Sequence, residues 1–304
     1  MSTHPNAPPA LRAAWNDGWL NGLIGVAIFS ASLPATRVAV LDIDPLFLTF
    51  ARATIAGLLA LVALRVGREA RPERADLAPL AVVAAGVVVG FPLLTALALR
   101  HMTSAHAIVF LGLLPLATAA FAVARAGERP RASFWAFAGL GAALVAGYAL
   151  SWSAESTILG DALMVGAVLV CGLGYAEGGR LSRRLGGWQV ICWALVLSLP
   201  LMAPVAWLTA PPTWAGIGWP AWAGLGYVSV FSMLVGFVFW YRGLAQGGIA
   251  AVGQLQLTQP FFGLLLAALL LGEPVGWDLL AVLAAVVACV AGAKRFAGER
   301  RVTP

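Results

Sequence analysis

AQGGIAAVGQLQLTQPFFGLLLAALLLGEP, residues 245–274, and RHMTSAHAIVFLGLLPLATAAFAVARAGER, residues 100–129, read as one segment written twice. Setting Pro260 against Pro115 also sets Gly272-Glu273 against Gly127-Glu128, and both landmarks give the same offset of 145 residues. In each copy an apolar helix holds one proline in its middle and ends in Gly-Glu. Interruptions at corresponding positions of two halves point to the binding site of a transporter. Two unrelated proline-kinked membrane helices are the plainer alternative, and the coincidence of three landmarks at one offset argues for the repeat.

The chain around these segments is built for lipid. Of its 304 residues 61% are apolar and 11% charged, against about a quarter charged in soluble domains. The apolar residues fall in runs near the ~20 residues that a helix needs to cross a bilayer. The net charge of +6 is spread over short loops between these runs, a mark of membrane topology and not of a nucleic-acid face. Cys171, Cys192 and Cys289 each lie inside an apolar run without metal-ligand spacing, so they read as small buried hydrophobes. Residues 1–18 lack the pattern of a removed signal peptide and read as a short disordered tail.

Ten spans fit the remainder: 19–39, 46–65, 77–99, 105–125, 133–151, 159–179, 188–209, 219–241, 248–271 and 276–293. With the N-terminus inside, the inner loops and ends collect Arg12, Arg65, Arg68, Arg71, Arg74, Arg125, Arg129, Arg131, Arg180, Arg183, Arg184, Arg242, Lys294, Arg295, Arg300 and Arg301. Only Arg37, Arg52 and Arg100 fall elsewhere. That asymmetry puts both termini in the cytoplasm. Five spans per half is an odd number, so residues 19–151 and 152–295 form two repeats that enter the membrane from opposite sides. Residues 296–304 are a cytoplasmic tail. The fold class expected is an all-α membrane protein with ten transmembrane helices in two inverted five-helix repeats. Tryptophans near span ends, Trp240 among them, read as interfacial anchors, and Gly86-Val-Val-Val-Gly90 allows close helix approach.

Span 9 carries the densest polar chemistry. Gln254, Gln256, Thr258 and Gln259 interrupt an apolar helix beside Pro260, and the proline's missing amide deprives the Gln256 carbonyl of its helical partner. Lipid cannot satisfy such groups. They form either the hydrogen-bonding wall of a substrate cavity, the favoured reading, or interhelical glue. The same offset in span 4 gives Val109, Leu111, Leu113 and Leu114, so polar recognition is expected from the second half alone. Arg52 lies about 10 Å into span 2 at helical rise, where it either snorkels outward or faces the cavity and binds a carboxylate. Glu177 either pairs with Arg180 one turn on or serves as a proton-coupling carboxylate. Tyr175 beside it contacts a ligand or sits at the interface. Pro34 frees the Ser30 carbonyl, so Pro34, Pro115 and Pro260 are candidate hinges.

Catalytic patterns are missing from the sequence: no nucleophile elbow, His-Glu-x-x-His, phosphate loop or dinucleotide fingerprint is present. No cofactor or metal is expected. An intramembrane enzyme acting on a lipid-linked substrate would have only Asp42, Asp44, His101 and His106 for a polar face. A non-transporting scaffold is the other alternative. Pro115 with Gly127-Glu128, Pro260 with Gly272-Glu273, and DPLFLTFARATIAG at 44–57 with its Arg52 together resemble the EamA family of the drug/metabolite transporter superfamily. The resemblance runs from span 1 to span 10. It implies a ten-helix inverted-repeat carrier of the bacterial inner (plasma) membrane, often an exporter of amino acids, metabolites or drugs. Spans 1, 3, 4, 6, 8 and 9 would surround its cavity. Span 6 departs from span 1 at the landmarks that can be matched. Expected partners are a small-molecule substrate and the lipid bilayer, without nucleic acid, for a monomer or homodimer.

Overall fold

The computed structural model describes residues 9–98, 101, 110–150, 157–271 and 277–297. Among these residues every regular element is helical. Helix α1 runs Pro9–Ser30 and Ser32–Ala39, α2 is Pro45–Val66, and α3 runs Arg74–Val83, Ala84–Gly90 and Phe91–Ala98. Then come α4, Leu114–Ala126, α5, Ala132–Leu150, α6, Ile158–Leu185, and α7, Gly187–Leu208. Helix α8 runs Trp219–Tyr227, Val228–Val235 and Gly236–Gly247; α9 runs Ile249–Gly253, Gln254–Thr258 and Gln259–Leu271; α10 is Trp277–Phe296. Among the described residues six stretches are long and apolar enough to cross a membrane: Asp17–Thr36, Pro45–Val66, Arg74–Thr95, Ile158–Leu185, Gly187–Leu208 and Trp219–Gly247. Leu114–Ala126 and Ala132–Tyr148 are shorter apolar helices. The chain is thus an all-helical, multi-pass membrane protein.

Helix α1 starts at Pro9, inside the stretch read as a disordered tail. ALRAAW is rich in helix formers, and proline is well tolerated in a first helical turn. Helix α2 starts where its sequence says it should: the Asp44 carboxylate accepts from the amides of Leu46 (2.9 Å) and Phe47 (3.1 Å), and Pro45 takes the first helical position. Helix α8 extends to Gly247, six residues past its predicted end. Trp240 consequently lies within the helix and is wholly buried against Phe29 and Tyr175. It is a core residue and not the interfacial anchor expected.

Three counterpart pairs of the two halves, α2 with α7, α4 with α9 and α5 with α10, pack on each other and run antiparallel. Along α2 and α7, Gly67 meets Trp188 and Gly57 meets Leu199, and just past the end of α7 Trp214 meets Phe47, so one residue number rises as the other falls along the shared axis. Along α5 and α10, the Arg131 amide donates to the Phe296 carbonyl at 3.1 Å and Gly141 approaches Cys289. Along α4 and α9, Thr118 lies beside Gly253, and Glu128 reaches Ile249 and Ala250. Two further packings cross between the halves: α1 lies along α8, and α3 lies along α6. Exchanging the halves maps each of these contacts onto the other.

Small residues permit both crossings. A Cβ added to Gly243 would lie 2.6 Å from the Gly22 amide nitrogen, and one added to Gly86 would lie 2.5 Å from the Val170 carbonyl oxygen. Backbones this close leave no room for a side chain, which is how membrane helices gain contact without a hydrophobic driving force. The irregular turns repeat as well. Ala84–Gly90 in α3 and Val228–Val235 in α8 are both wide π-type turns, and the 145-residue offset carries Gly90 onto Val235. Nothing in the sequence reading marked them.

Candidate functional site

The prolines that organise the repeat begin new helical segments. Pro115 is the second residue of Leu114–Ala126, and Pro260 is the second residue of Gln259–Leu271. Both ends of these two segments obey the 145-residue offset. A turn at Gly112–Leu113 precedes the first, and the tight 3-10 segment Gln254–Thr258 precedes the second. Pro34 likewise stands third in Ser32–Ala39, after a break at Ala31. The missing proline amide makes these breaks.

At Pro260 the consequence differs from the expectation in one respect. The Gln256 carbonyl is not left open, because the Gln259 amide donates to it in 3-10 geometry. The Thr258 hydroxyl donates to the Leu255 carbonyl at 2.6 Å. Local re-pairing therefore satisfies the backbone, and the unmet polarity lies in the side chains. Gln254 is wholly buried and Gln256 nearly so, and neither side-chain amide has a hydrogen-bond partner of normal geometry. Gln256 lies close enough to the Tyr175 hydroxyl of α6 to interact with it. Tyr175 is buried and packs edge-on against Trp240 at 5.4 Å and near Phe237 at 6.0 Å. Gln259, one step on, is half-buried. Gln256 thus reaches Tyr175 of α6, while the segment Gln254–Thr258 as a whole packs on α10, α4, α1 and α5.

Arg52 stands apart on α2, whose main partners are α7 and α8. It is half-buried. Its Nε is buried without an acceptor. Across the break in α1, the Ser32 hydroxyl donates to that of Ser232 in the wide turn of α8 at 2.8 Å.

The arginine-rich end of the bundle is closed by charge. Glu177, whose side chain is fully buried, accepts from Arg180 at 2.5 Å and from Arg125 of α4 at 3.2 Å. Gly127 ends α4 in the left-handed conformation (φ 66°), and the Glu128 amide turns back to the Ala122 carbonyl at 3.2 Å. That turn aims the Glu128 carboxylate at the start of α9. There it accepts from the amides of Ile249 (2.9 Å) and Ala250 (2.8 Å), and Arg183 of α6 donates to it at 2.6 Å. The Gly-Glu landmark is therefore a cap that ties one half to the other, with its charge placed against a helix N-terminus. A pair between Arg184 and Asp76 adds α3 to the cluster. Sequence reading found Glu128 as a landmark without its role; the spacing gave no sign of its partner across the chain. The equivalent Glu273 and the facing residues 102–109 lie outside the described residues.

In the alternative polar face the two carboxylates already have partners. Asp42 accepts from the Gly218 amide at 2.9 Å and Asp44 caps α2, so both carboxylates are occupied by backbone. His101 is exposed, and His106 lies outside the described residues. A cleft of about 400 Å³ between α3 and α7 is lined by Arg71, Leu77, Trp193 and Pro200 among others, and one of about 230 Å³ adjoins it. No glutamine of α9 lines either cleft. In this conformation the Gln254 and Gln256 amides are enclosed by protein.

The model of the EamA-like transporter family matches the chain twice, over residues 17–151 and 158–293, the two halves that the 145-residue offset relates. An uncharacterized transporter of Bacillus subtilis (strain 168), YdeK, is 66% identical over 281 residues, covering 92% of this chain and 98% of the relative. A solved crystal structure at 20% identity has the same fold, with a TM-score of 0.77 over 91% of this chain and 96% of the other. The chain is a member of the EamA-like transporter family.

Proposed function

We propose that this protein is a secondary carrier of the bacterial inner (plasma) membrane that exports a small organic solute by alternating access. Ten helices would cross the bilayer with both termini in the cytoplasm, and the antiparallel pairing of counterpart helices supports inverted halves. The observation that carries the reading is the pair of buried, unbonded glutamine amides on α9. Such groups inside a membrane protein call for a polar occupant or a wet cavity in some state of the cycle. Gln256 and Gln259 would contact the solute, Gln254 and Thr258 would support them, and Tyr175 would close the site from α6. Rocking at Pro34, Pro115 and Pro260 would open the enclosed site to one face and then to the other. The cluster around Glu177 would hold the arginine-rich face shut, as a structural lock in preference to a proton-coupling group.

Counterflow of amino acids and related metabolites into liposomes containing only this chain tests the reading. Gln256→Leu is expected to abolish counterflow while the melting temperature and elution profile stay those of the wild type. Unchanged counterflow in a folded Gln256→Leu protein would remove the cluster from the mechanism.

A further inference from the structure

Among the described residues Arg52 is a half-buried cation without a counter-ion, inside the apolar helix α2. The nearby carboxylates are accounted for. Asp42 and Asp44 hold backbone amides, while Glu177, Glu128 and Asp76 pair with arginines of the opposite end. No hydrogen bond or ion pair to Arg52 exists among the described residues, and its Nε is buried with no acceptor. Its side chain is half-buried, with the Nε enclosed and the rest partly accessible. Its neighbours on the same face of α2, Thr49 and Ala56, are buried, so this face looks into the bundle. The Thr95 hydroxyl on α3, the next helix of the same half, is a second buried polar group without a partner.

An isolated charge in low dielectric is strongly unfavourable unless something pairs with it. Guanidinium offers a planar fork of donors matched to carboxylate and phosphate oxygens. We propose that the solute carried by this protein bears an oxyanion, a carboxylate or a phosphate, which docks on Arg52 and supplies the counter-charge that the fold omits. The proposal rests on the carrier reading above and narrows its substrate class.

The test is thermal melting of the purified protein in lipid nanodiscs, titrated with sodium acetate or sodium phosphate. Sodium chloride at matched ionic strength and neutral acetamide serve as controls. At ten times the dissociation constant, acetate or phosphate is expected to raise the melting temperature by about 3 °C in a saturable way, and the controls are not. Acetate alone would mark a carboxylate, phosphate alone a phosphate. Arg52→Met and Arg52→Gln should lose the shift, and Arg52→Lys should keep a weaker one. Without added anion Arg52→Met should melt at or above the wild type, because it deletes an uncompensated charge. A wild type that responds no more to oxyanions than to chloride, or an Arg52→Met protein that responds equally, would overturn the proposal. So would an Arg52→Met protein that fails to fold, since Arg52 would then have a structural partner. The carrier reading fails separately: oxyanion stabilisation without counterflow rejects transport and keeps the site. Counterflow unchanged by Arg52→Gln keeps transport and rejects the oxyanion.

Discussion

Leu114–Ala126 in the first half and Gln259–Leu271 in the second share length, proline position and preceding break, yet their chemistry differs. Before its proline the second carries Gln254, Gln256, Thr258 and Gln259, where the first carries Val109, Leu111, Leu113 and Leu114. The architecture is two-fold and the polarity is one-sided. Geometry that allows two halves to exchange roles is preserved in both, whereas groups that would recognise a solute need to exist only once. The charge at the two ends is one-sided in the same way. Arg125, Arg180 and Arg183 surround Glu177 and Glu128, and the 145-residue offset puts uncharged residues, Ser32, Ala35, Val38 and Leu270, where Glu177 and those arginines would map.

The strongest way to break the two-fold account is at the crossings of α1 with α8 and of α3 with α6. Gly243→Ala and Gly86→Ala both push a methyl group against backbone, and each should cost about 2–3 kcal/mol by overpacking. Thermal melts that differ widely between the two would show that the crossings are not equivalent. The cap between halves comes next. Glu128→Ala should cost about 2 kcal/mol through the lost helix cap and charge-assisted bonds, and Glu273→Ala should cost a similar amount if the second Gly-Glu does the same work. A silent Glu128→Ala would leave the landmark without a physical role.

The one-sided features give smaller effects. Glu177→Gln should lower stability by about 1–2 kcal/mol, the half-exposed arginines limiting the loss, and the pH profile of transport should not move. A profile that flattens would make Glu177 a coupling group instead. Pro260→Ala restores a backbone amide at the end of the 3-10 turn, so stability should change by less than about 1 kcal/mol while turnover falls severalfold. Pro115→Ala should slow turnover less, since no polar cluster precedes it. Equal slowing by the two would place hinge function above recognition in both halves.

Periodicity and apolar run length located the helices, because lipid punishes any other backbone arrangement. The repeat was legible because prolines and Gly-Glu pairs are rare landmarks with local causes. The wide turns of α3 and α8 were not, since a π-type turn has no residue signature and forms where neighbouring helices demand it. Trp240 was misplaced for a related reason: a span's end read from hydropathy stops at Arg242, while the helix continues to Gly247. At the candidate site, the glutamines announced themselves as polar residues in an apolar helix, but the Gln256 carbonyl found a partner that α-helical counting does not provide. The second partner of Glu177, Arg125, is 52 residues away, beyond any argument from spacing.

One measurement bears on the inverted halves directly. Cys171, Cys192 and Cys289 are buried, so a single cysteine placed at Arg129 or at Pro274 can be probed with a membrane-impermeant thiol reagent in intact cells. The account predicts that the cysteine at 274 is labelled from outside, and that the one at 129 is labelled only after the membrane is opened. Labelling of both from the same side would mean that the two halves enter the bilayer in the same sense, and the alternating-access reading would lose its structural basis.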